Sequence, residues 1–77
     1  AIDEKVEIFP NYNQNQLIIR NYPENAKIVI FNPQGIEIYK SDNLNQAIYI
    51  NDLPKGLLII KVENELESFT TKIIIEK

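Results

Sequence analysis

The sequence predicts an all-β protein, and three observations support this prediction. Fifteen of the 77 residues are isoleucine, whose β-branched side chain fits the pleated surface of a sheet. Apolar and polar residues alternate with a period of two along much of the chain, as in a strand with one buried face. No segment combines helical spacing with capping residues, so we expect little or no helix.

Seven segments carry the strand pattern, and residues that favour turns separate them. The predicted strands are Val6–Phe9, Gln16–Arg20, Ala26–Asn32, Gly35–Lys40, Ala47–Asn51, Leu57–Glu63 and Phe69–Glu76. Pro10 and an amide-rich segment, 11–15, follow the first strand. Asn32-Pro33-Gln34-Gly35 predicts a tight hairpin, because proline fixes φ and glycine accepts a left-handed conformation. The other predicted connections are 21–25, 41–46, 52–56 and 64–67.

The alternation divides the side chains between two faces. We expect the core to receive Ile8, Leu17, Ile19, Ile28, Ile30, Ile36, Ile38, Ile48, Ile50, Leu58, Ile60, Val62, Phe69, Thr71, Ile73 and Ile75. We expect the outer faces to carry Glu7, Arg20, Lys27, Glu37, Tyr39, Tyr49, Lys61, Lys72 and Glu76. Seven short strands with one apolar face each predict a seven-stranded, immunoglobulin-like antiparallel β-sandwich. Leu57 and Ile59 fall on an outer face, which predicts an exposed apolar stripe.

The length of the chain suits one small domain, residues 1–77, and we interpret residues 1–5 as a linker remnant. The formal net charge of −3 does not suit a nucleic-acid-binding surface, which is basic. The longest apolar run, Leu57–Ile60, is far shorter than the roughly 20 residues of a membrane-spanning helix. We therefore expect neither a nucleic-acid partner nor a transmembrane segment.

Catalytic chemistry has few candidate residues in this chain. Histidine and cysteine are both absent, and Ser41 and Ser68 have no evident partner base. Glu63, Glu65 and Glu67 are close in sequence, but they lie on a predicted hairpin, where a charge run is usually solvated. We therefore expect no enzyme activity, no catalytic residue and no cofactor.

Two other residue patterns have a functional and a structural interpretation. Asn11, Asn13 and Asn15 have the spacing of a calcium loop, but Ca²⁺ prefers carboxylates to neutral amides. We predict Asx turns there and no metal site. Tyrosines on one outer face could stack against a sugar, although tyrosines on small sandwiches are more often cross-strand packing partners. The four tyrosines are Tyr12, Tyr22, Tyr39 and Tyr49.

The order of the motifs resembles a known family. The motifs are Ile8-Phe9-Pro10-Asn11, Leu17-Ile18-Ile19, segment 28–39, Leu53-Pro54-Lys55-Gly56, Lys61-Val62-Glu63 and the tail 72–77. Together they resemble the type A C-terminal sorting domain of proteins exported by the type IX secretion system of Bacteroidetes. The resemblance covers Val6 to Lys77, and its specificity comes from the order and spacing of the motifs.

Ten residues match family positions, and three depart from them. The matches are Pro10 and Asn11 in the first turn, Gly35 in the central hairpin, Leu53, Pro54 and Gly56 in the L-P-x-G turn, Lys61 and Val62 in the strand after it, and Lys72 and Lys77 in the basic tail. Tyr12 stands where the family has a second proline, Leu58 stands where tyrosine is usual, and Glu76 makes the tail less basic.

The resemblance implies a non-catalytic recognition module of an exported protein. It implies transit through the periplasm and a final place at the outer-membrane surface or outside the cell. The implied partners are the outer-membrane translocon, its shuttle protein and a cell-surface sortase. We expect the recognised parts to be the last strand with its tail, 70–77, and the stripe of Leu57 and Ile59. Because exposed edge strands also pair with each other, we expect a homodimer at high concentration.

Two other functions fit the residues without the resemblance. One is a carbohydrate-binding or adhesion module, which aligned aromatic side chains on an outer face would favour. The other is a spacer β-sandwich of a secreted protein, which an internal position in a longer chain would favour.

Overall fold

The computed structural model describes residues 6–76, and it confirms the all-β prediction. The seven strands are β1 (Glu7–Asn11), β2 (Gln16–Arg20), β3 (Lys27–Phe31), β4 (Glu37–Ser41), β5 (Ile48–Tyr49), β6 (Gly56–Glu63) and β7 (Ser68–Ile75). A single 3₁₀ turn, Ile50–Asp52, follows β5. The predicted linker remnant, residues 1–5, lies outside the described residues.

The strands form two antiparallel sheets. The smaller sheet has the order β1-β2-β5, and the larger one has the order β4-β3-β6-β7. The apolar faces of the two sheets meet in one core cluster, since residues of β2 and β5 are buried together with residues of β3, β6 and β7. Strands β3 and β6 are central in the larger sheet, which explains why both are rich in aliphatic residues.

The core consists of aliphatic side chains, and none of the described polar or charged residues is buried. Fully burying a Val, Leu or Ile side chain stabilises a fold by about 1.5–3 kcal/mol, so these contacts dominate the stability of so small a domain. The buried cluster comprises Leu17, Ala26, Ile28, Ile30, Ile48, Ile50, Leu53, Leu58, Ile60, Val62, Ile73 and Ile75.

Strand β4 departs from the predicted alternation. Ile36 and Ile38, which were predicted to face the core, are 61% and 37% exposed. Tyr39, which was predicted to face outward, lies opposite buried Ile30 and packs against the core. The reason is a β-bulge: Tyr39 pairs with Ile30 and Glu37 pairs with the next residue of β3, which leaves Ile38 as the extra residue. A bulge inserts one residue and so reverses the faces on one side of it.

The fifth strand is shorter than the predicted Ala47–Asn51, because the C-terminal part of that segment forms hydrogen bonds with the turn between β1 and β2. Asn15 has a left-handed backbone, with φ of 56°. Its carbonyl oxygen accepts a hydrogen bond from the Ile50 N–H at 3.0 Å, and its Oδ1 accepts one from the Asn51 N–H at 3.0 Å. These bonds draw the chain out of the ladder with β2 and into the 3₁₀ turn.

Candidate recognition surfaces

The two glycines of the predicted motifs occupy positions that favour glycine. Gly35 has φ of +85° and Gly56 has φ of +108°, a region that side chains with a Cβ rarely adopt. In the β3–β4 hairpin, the Gly35 N–H donates to the Asn32 carbonyl at 2.9 Å. The Asn32 side-chain oxygen also accepts from the backbone N–H groups of Gln34 and Ile36, at 3.0 and 2.9 Å. The predicted hairpin is therefore present, and an Asx motif stabilises it.

The residues of the L-P-x-G motif build a turn and part of the core. Leu53 is 3% exposed, and its N–H donates to the Ile50 carbonyl at 3.0 Å. Pro54 is exposed, and Gly56 is the first residue of β6. Val62, on the same strand, is fully buried. Leu53 and Val62 are therefore not accessible to a partner.

Pro10 and Asn11 are the last two residues of β1, whereas the sequence predicted that the strand ends at Phe9. Because β1 is the outermost strand of its sheet, it tolerates a proline that lacks an N–H group. Asn11 starts the following turn, since its Oδ1 and its carbonyl oxygen both accept from the Gln14 N–H, each at 3.3 Å.

Four apolar side chains on the solvent-facing side of the larger sheet are exposed or half-buried, and we name them the outer patch. In the strand register Leu57 lies opposite Ile74, and Phe31 lies opposite Ile59. Ile74 is 60% exposed and Leu57 is 38% exposed, while Phe31 and Ile59 are half-buried. The outer patch therefore consists of Phe31, Leu57, Ile59 and Ile74, and it includes both residues of the predicted stripe.

Lysines surround the outer patch in a chain that is acidic overall. The cross-strand register places four of the eight basic residues on this face, but only two of the eleven acidic residues. The basic residues are Lys27, Lys40, Lys61 and Lys72, and the acidic ones are Glu37 and Glu63. Lys61 Nζ lies 3.3 Å from Glu63 Oε2. The charge of this face is thus opposite in sign to that of the whole chain.

Val29 shows how the lysines shape this face. It lies on the outer side of β3, yet it is only 8% exposed. Its cross-strand neighbours are Lys40 on β4 and Lys61 on β6, and lysine stems commonly cover apolar surface while the ammonium group stays in water.

Strand β7 is the outermost strand of the larger sheet, and Tyr12 binds one end of its open side. Tyr12 Oη accepts a hydrogen bond from the Glu76 N–H at 2.9 Å and donates one to the Ile74 carbonyl at 3.4 Å. Since Tyr12 directly follows β1, this side chain connects the edges of the two sheets. Lys77, the last matched residue of the basic tail, lies outside the described residues.

The tyrosines do not form one platform, and the asparagine-rich segment 11–15 forms hydrogen-bonded turns. Tyr22 Oη lies 2.9 Å from Asn45 Oδ1 and the ring packs against the core, as the Tyr39 ring does. Tyr49 is exposed on β5 of the smaller sheet, whereas the Tyr12 hydroxyl group binds the β7 edge of the larger sheet. Within residues 6–76 no group of three or more acidic side chains is placed to hold a metal ion.

Sequence reasoning missed two residues of the outer patch. Ile74 could have been found, because it alternates with the predicted core residues Ile73 and Ile75. Phe31 was harder to place, since β3 contains three consecutive buried residues and lacks a clear alternation.

The described part of the chain contains no helix that is long and apolar enough to cross a membrane. No curated protein matches the chain significantly. The model of a protein family described as the secretion system C-terminal sorting domain matches residues 7–76, which is nearly the whole sequence. This protein therefore belongs to the family of C-terminal sorting domains of type IX secretion.

Proposed function

We propose that this domain is a non-catalytic sorting signal that directs an exported protein to the outer-membrane translocon of type IX secretion and on to the cell surface. The partners in this proposal are the translocon, its shuttle protein and a cell-surface sortase, met after transit through the periplasm. Family membership supports the proposal. The observation that supports binding to a protein partner is the outer patch with the lysines around it.

The outer patch has the composition of a protein-binding surface. A protein interface usually has an apolar centre and a polar rim, and this face has aliphatic and aromatic side chains between lysines. Ile74 is 60% exposed although it lies within a strand, so folding of this chain alone leaves its side chain largely in water. We propose that Leu57, Ile59, Lys61, Lys72 and Ile74 are the residues that a partner contacts, and that Lys77 also takes part in recognition.

The other predicted site residues have a different role in this proposal. Pro10, Asn11, Gly35, Pro54 and Gly56 set the shape of the turns, and buried Leu53 and Val62 fix the core. These seven residues act on recognition through the fold that they stabilise.

We also propose that the sandwich is immunoglobulin-like. The constant type of that fold has strands 1, 2, 5 and 4 in one sheet and strands 3, 6 and 7 in the other. Here strand 4 pairs with strand 3 instead, and the other neighbours are the same. We further propose that residues 1–77 form one domain, since a single sandwich uses all seven strands.

The proposal is tested by changing the outer patch without changing the core. We expect the double variant Leu57→Glu/Ile74→Glu to reduce surface export of a fused passenger at least tenfold in a host with type IX secretion, because two carboxylates would enter an apolar contact. The matched control is Leu66→Glu, since Leu66 is 90% exposed at the far hairpin, between β6 and β7. Equal export of the double variant and the control, both with unchanged thermal midpoints, would contradict the proposal.

Removing the end of the chain is a poorer test. A deletion of residues 73–77 removes Ile73 and Ile75, which are 8% and 0% exposed and belong to the core. Loss of export would then follow from unfolding as readily as from lost recognition. Substitutions at exposed positions avoid this ambiguity.

A further inference from the structure

The outer face of the larger sheet has a basic band beside its apolar patch. In the strand register Val29 on β3 has Lys40 on one side and Lys61 on the other. Neighbouring strands are about 4.8 Å apart, so the backbones at these two lysines are separated by roughly 10 Å across Val29. Lys72 lies opposite Ile59, which places it next to both the band and the outer patch. The face therefore combines an apolar part and a basic part.

Two lysines of this band have no acidic partner within the described part of the chain. Lys61 does have one, since its Nζ lies 3.3 Å from Glu63 Oε2. Lys40 and Lys72 are exposed, and neither forms an ion pair with any residue between 6 and 76. Folding of the domain thus leaves two positive charges near the outer patch without an opposite charge to balance them.

We propose that the partner of the outer patch is an acidic protein surface, which presents carboxylates to Lys40 and Lys72 beside an apolar segment that covers the patch. This inference rests on the proposed function, because it specifies the chemistry of the partner at the same surface. Charge complementarity supports it, since groups of opposite sign across an interface speed the encounter and fix its orientation.

The charge of the rest of the domain strengthens the choice of orientation. The chain as a whole has a net charge of −3, so its other surfaces carry an excess of negative charge over this basic face. An acidic partner repels those surfaces and attracts only the face that holds the outer patch. One distribution of charge therefore favours the productive approach and disfavours the others.

An anionic lipid surface shares the negative charge of such a partner, but the shape of the patch favours a protein. An amphipathic segment that binds lipid buries its apolar side about 5–10 Å deep. Phe31 and Ile59, in contrast, are half-buried among their neighbours within the sheet. A face of this kind corresponds to the apolar centre of a protein interface with charged groups at its rim.

The first experiment adds positive charge to the face. Glu37 is exposed opposite Phe31, so Glu37→Lys makes this face more basic. The matched control is Glu65→Lys, which changes the net charge equally but lies in the exposed turn between β6 and β7. We expect Glu37→Lys to associate about fivefold faster than the unchanged chain with the solubilised translocon and shuttle protein, and Glu65→Lys to differ from it by less than about twofold. A gain in rate cannot result from unfolding.

The second experiment removes charge and varies the salt concentration. Lys72→Gln should associate with the same complex about threefold more slowly than the unchanged chain at about 0.1 M salt. The difference should vanish at about 1 M salt, because the Debye length falls from about 10 Å to about 3 Å. The matched control is Arg20→Gln, which removes one positive charge from the smaller sheet and should leave the association rate unchanged.

The outcomes separate this inference from the proposed function. If the unchanged chain does not bind the complex, or if Leu57→Glu/Ile74→Glu binds it equally well, the proposed function fails. If binding requires the outer patch but Glu37→Lys and Glu65→Lys associate at the same rate, the proposed function stands and the acidic partner is refuted. Tighter binding of the unchanged chain to phosphatidylglycerol vesicles than to the complex would also overturn the inference, because the occupant would then be a membrane.

Discussion

The hydroxyl group of Tyr12 offers a direct test of how the two sheet edges are joined. The variant Tyr12→Phe removes only that hydroxyl group and keeps the ring. The Glu76 nitrogen and the Ile74 carbonyl oxygen lie 2.9 and 3.4 Å from the Tyr12 oxygen. Both backbone groups lose this hydrogen-bond partner in the variant. We expect lower stability and a looser C-terminal end of β7.

The size of the loss follows from the geometry of the two bonds. A hydrogen bond contributes about 0.5–1.5 kcal/mol net, and the bond to Glu76 has an ordinary length. The contact with Ile74 is long, and the tyrosine is 47% exposed, so water can replace part of both bonds. The expected loss is therefore about 1 kcal/mol. In a domain of this size, 1 kcal/mol lowers the thermal midpoint by roughly 4–8 °C.

Thermal unfolding followed by circular dichroism measures the loss, and amide hydrogen exchange locates it. We expect the Glu76 amide to exchange at least fivefold faster in Tyr12→Phe, with little change at Ile60 in the core. Tyr49→Phe is the matched control, because Tyr49 is also 47% exposed and its hydroxyl group makes no hydrogen bond within the described residues. If the two variants unfold at the same temperature and Glu76 exchanges equally in both, Tyr12 does not hold the edge.

Three further variants test the core, a turn and the outer face of the smaller sheet. Ile60→Val should lower the free energy of unfolding by about 1 kcal/mol, because Ile60 is fully buried. The control Ile74→Val should change that free energy by less than about 0.5 kcal/mol, because Ile74 is exposed. Equal losses in urea unfolding would contradict the burial pattern. Gly56→Ala should cost about 1–3 kcal/mol through its φ of +108° alone, since an added Cβ meets nothing within 4 Å; an unchanged thermal midpoint would refute this. Arg20→Ala should cost less than about 1 kcal/mol, because Arg20 NH2 lies 3.5 Å from Glu7 Oε1 and its guanidinium lies 5.0 Å from the Phe9 ring centre, both in solvent. A loss for Arg20→Ala that does not shrink at high salt would argue against the ion pair.

The sequence predicted the strands whose neighbours and turns are local. β2 has the predicted bounds, Gln16–Arg20, and β6 and β7 each begin one residue before the predicted start. Alternation identified the faces of β6 and β7 because their pairing is regular. β6 pairs with β3 on one side and with β7 on the other, and neither register contains a bulge. The positive φ of Gly35 agrees with the turn chemistry of its hairpin, whereas the positive φ of Gly56 was not predicted.

The sequence could not predict features that depend on contacts between distant segments. The bulge in β4 has no local signal, because Ile36 and Ile38 alternate correctly with Glu37 and Tyr39, and only the pairing with β3 shows the extra residue. The end of β5 depends on Asn15, which is 35 positions away from Ile50. The role of Tyr12 depends on its position beside Ile74 and Glu76 in the folded chain. For the same reason the outer patch was only half identified, since its members come from three strands.

The place of β7 in the larger sheet determines when, during synthesis, the domain can fold. β7 pairs with the whole length of β6 and supplies Ile73 and Ile75 to the interior. A nascent chain that stops before β7 would leave β6 without a neighbour on one side and would expose Leu58 and Ile60 to water. In the proposed role, the domain would therefore fold, and be recognised by the secretion machinery, only after β7 had been synthesised. A product that ends before β7 would not be exported.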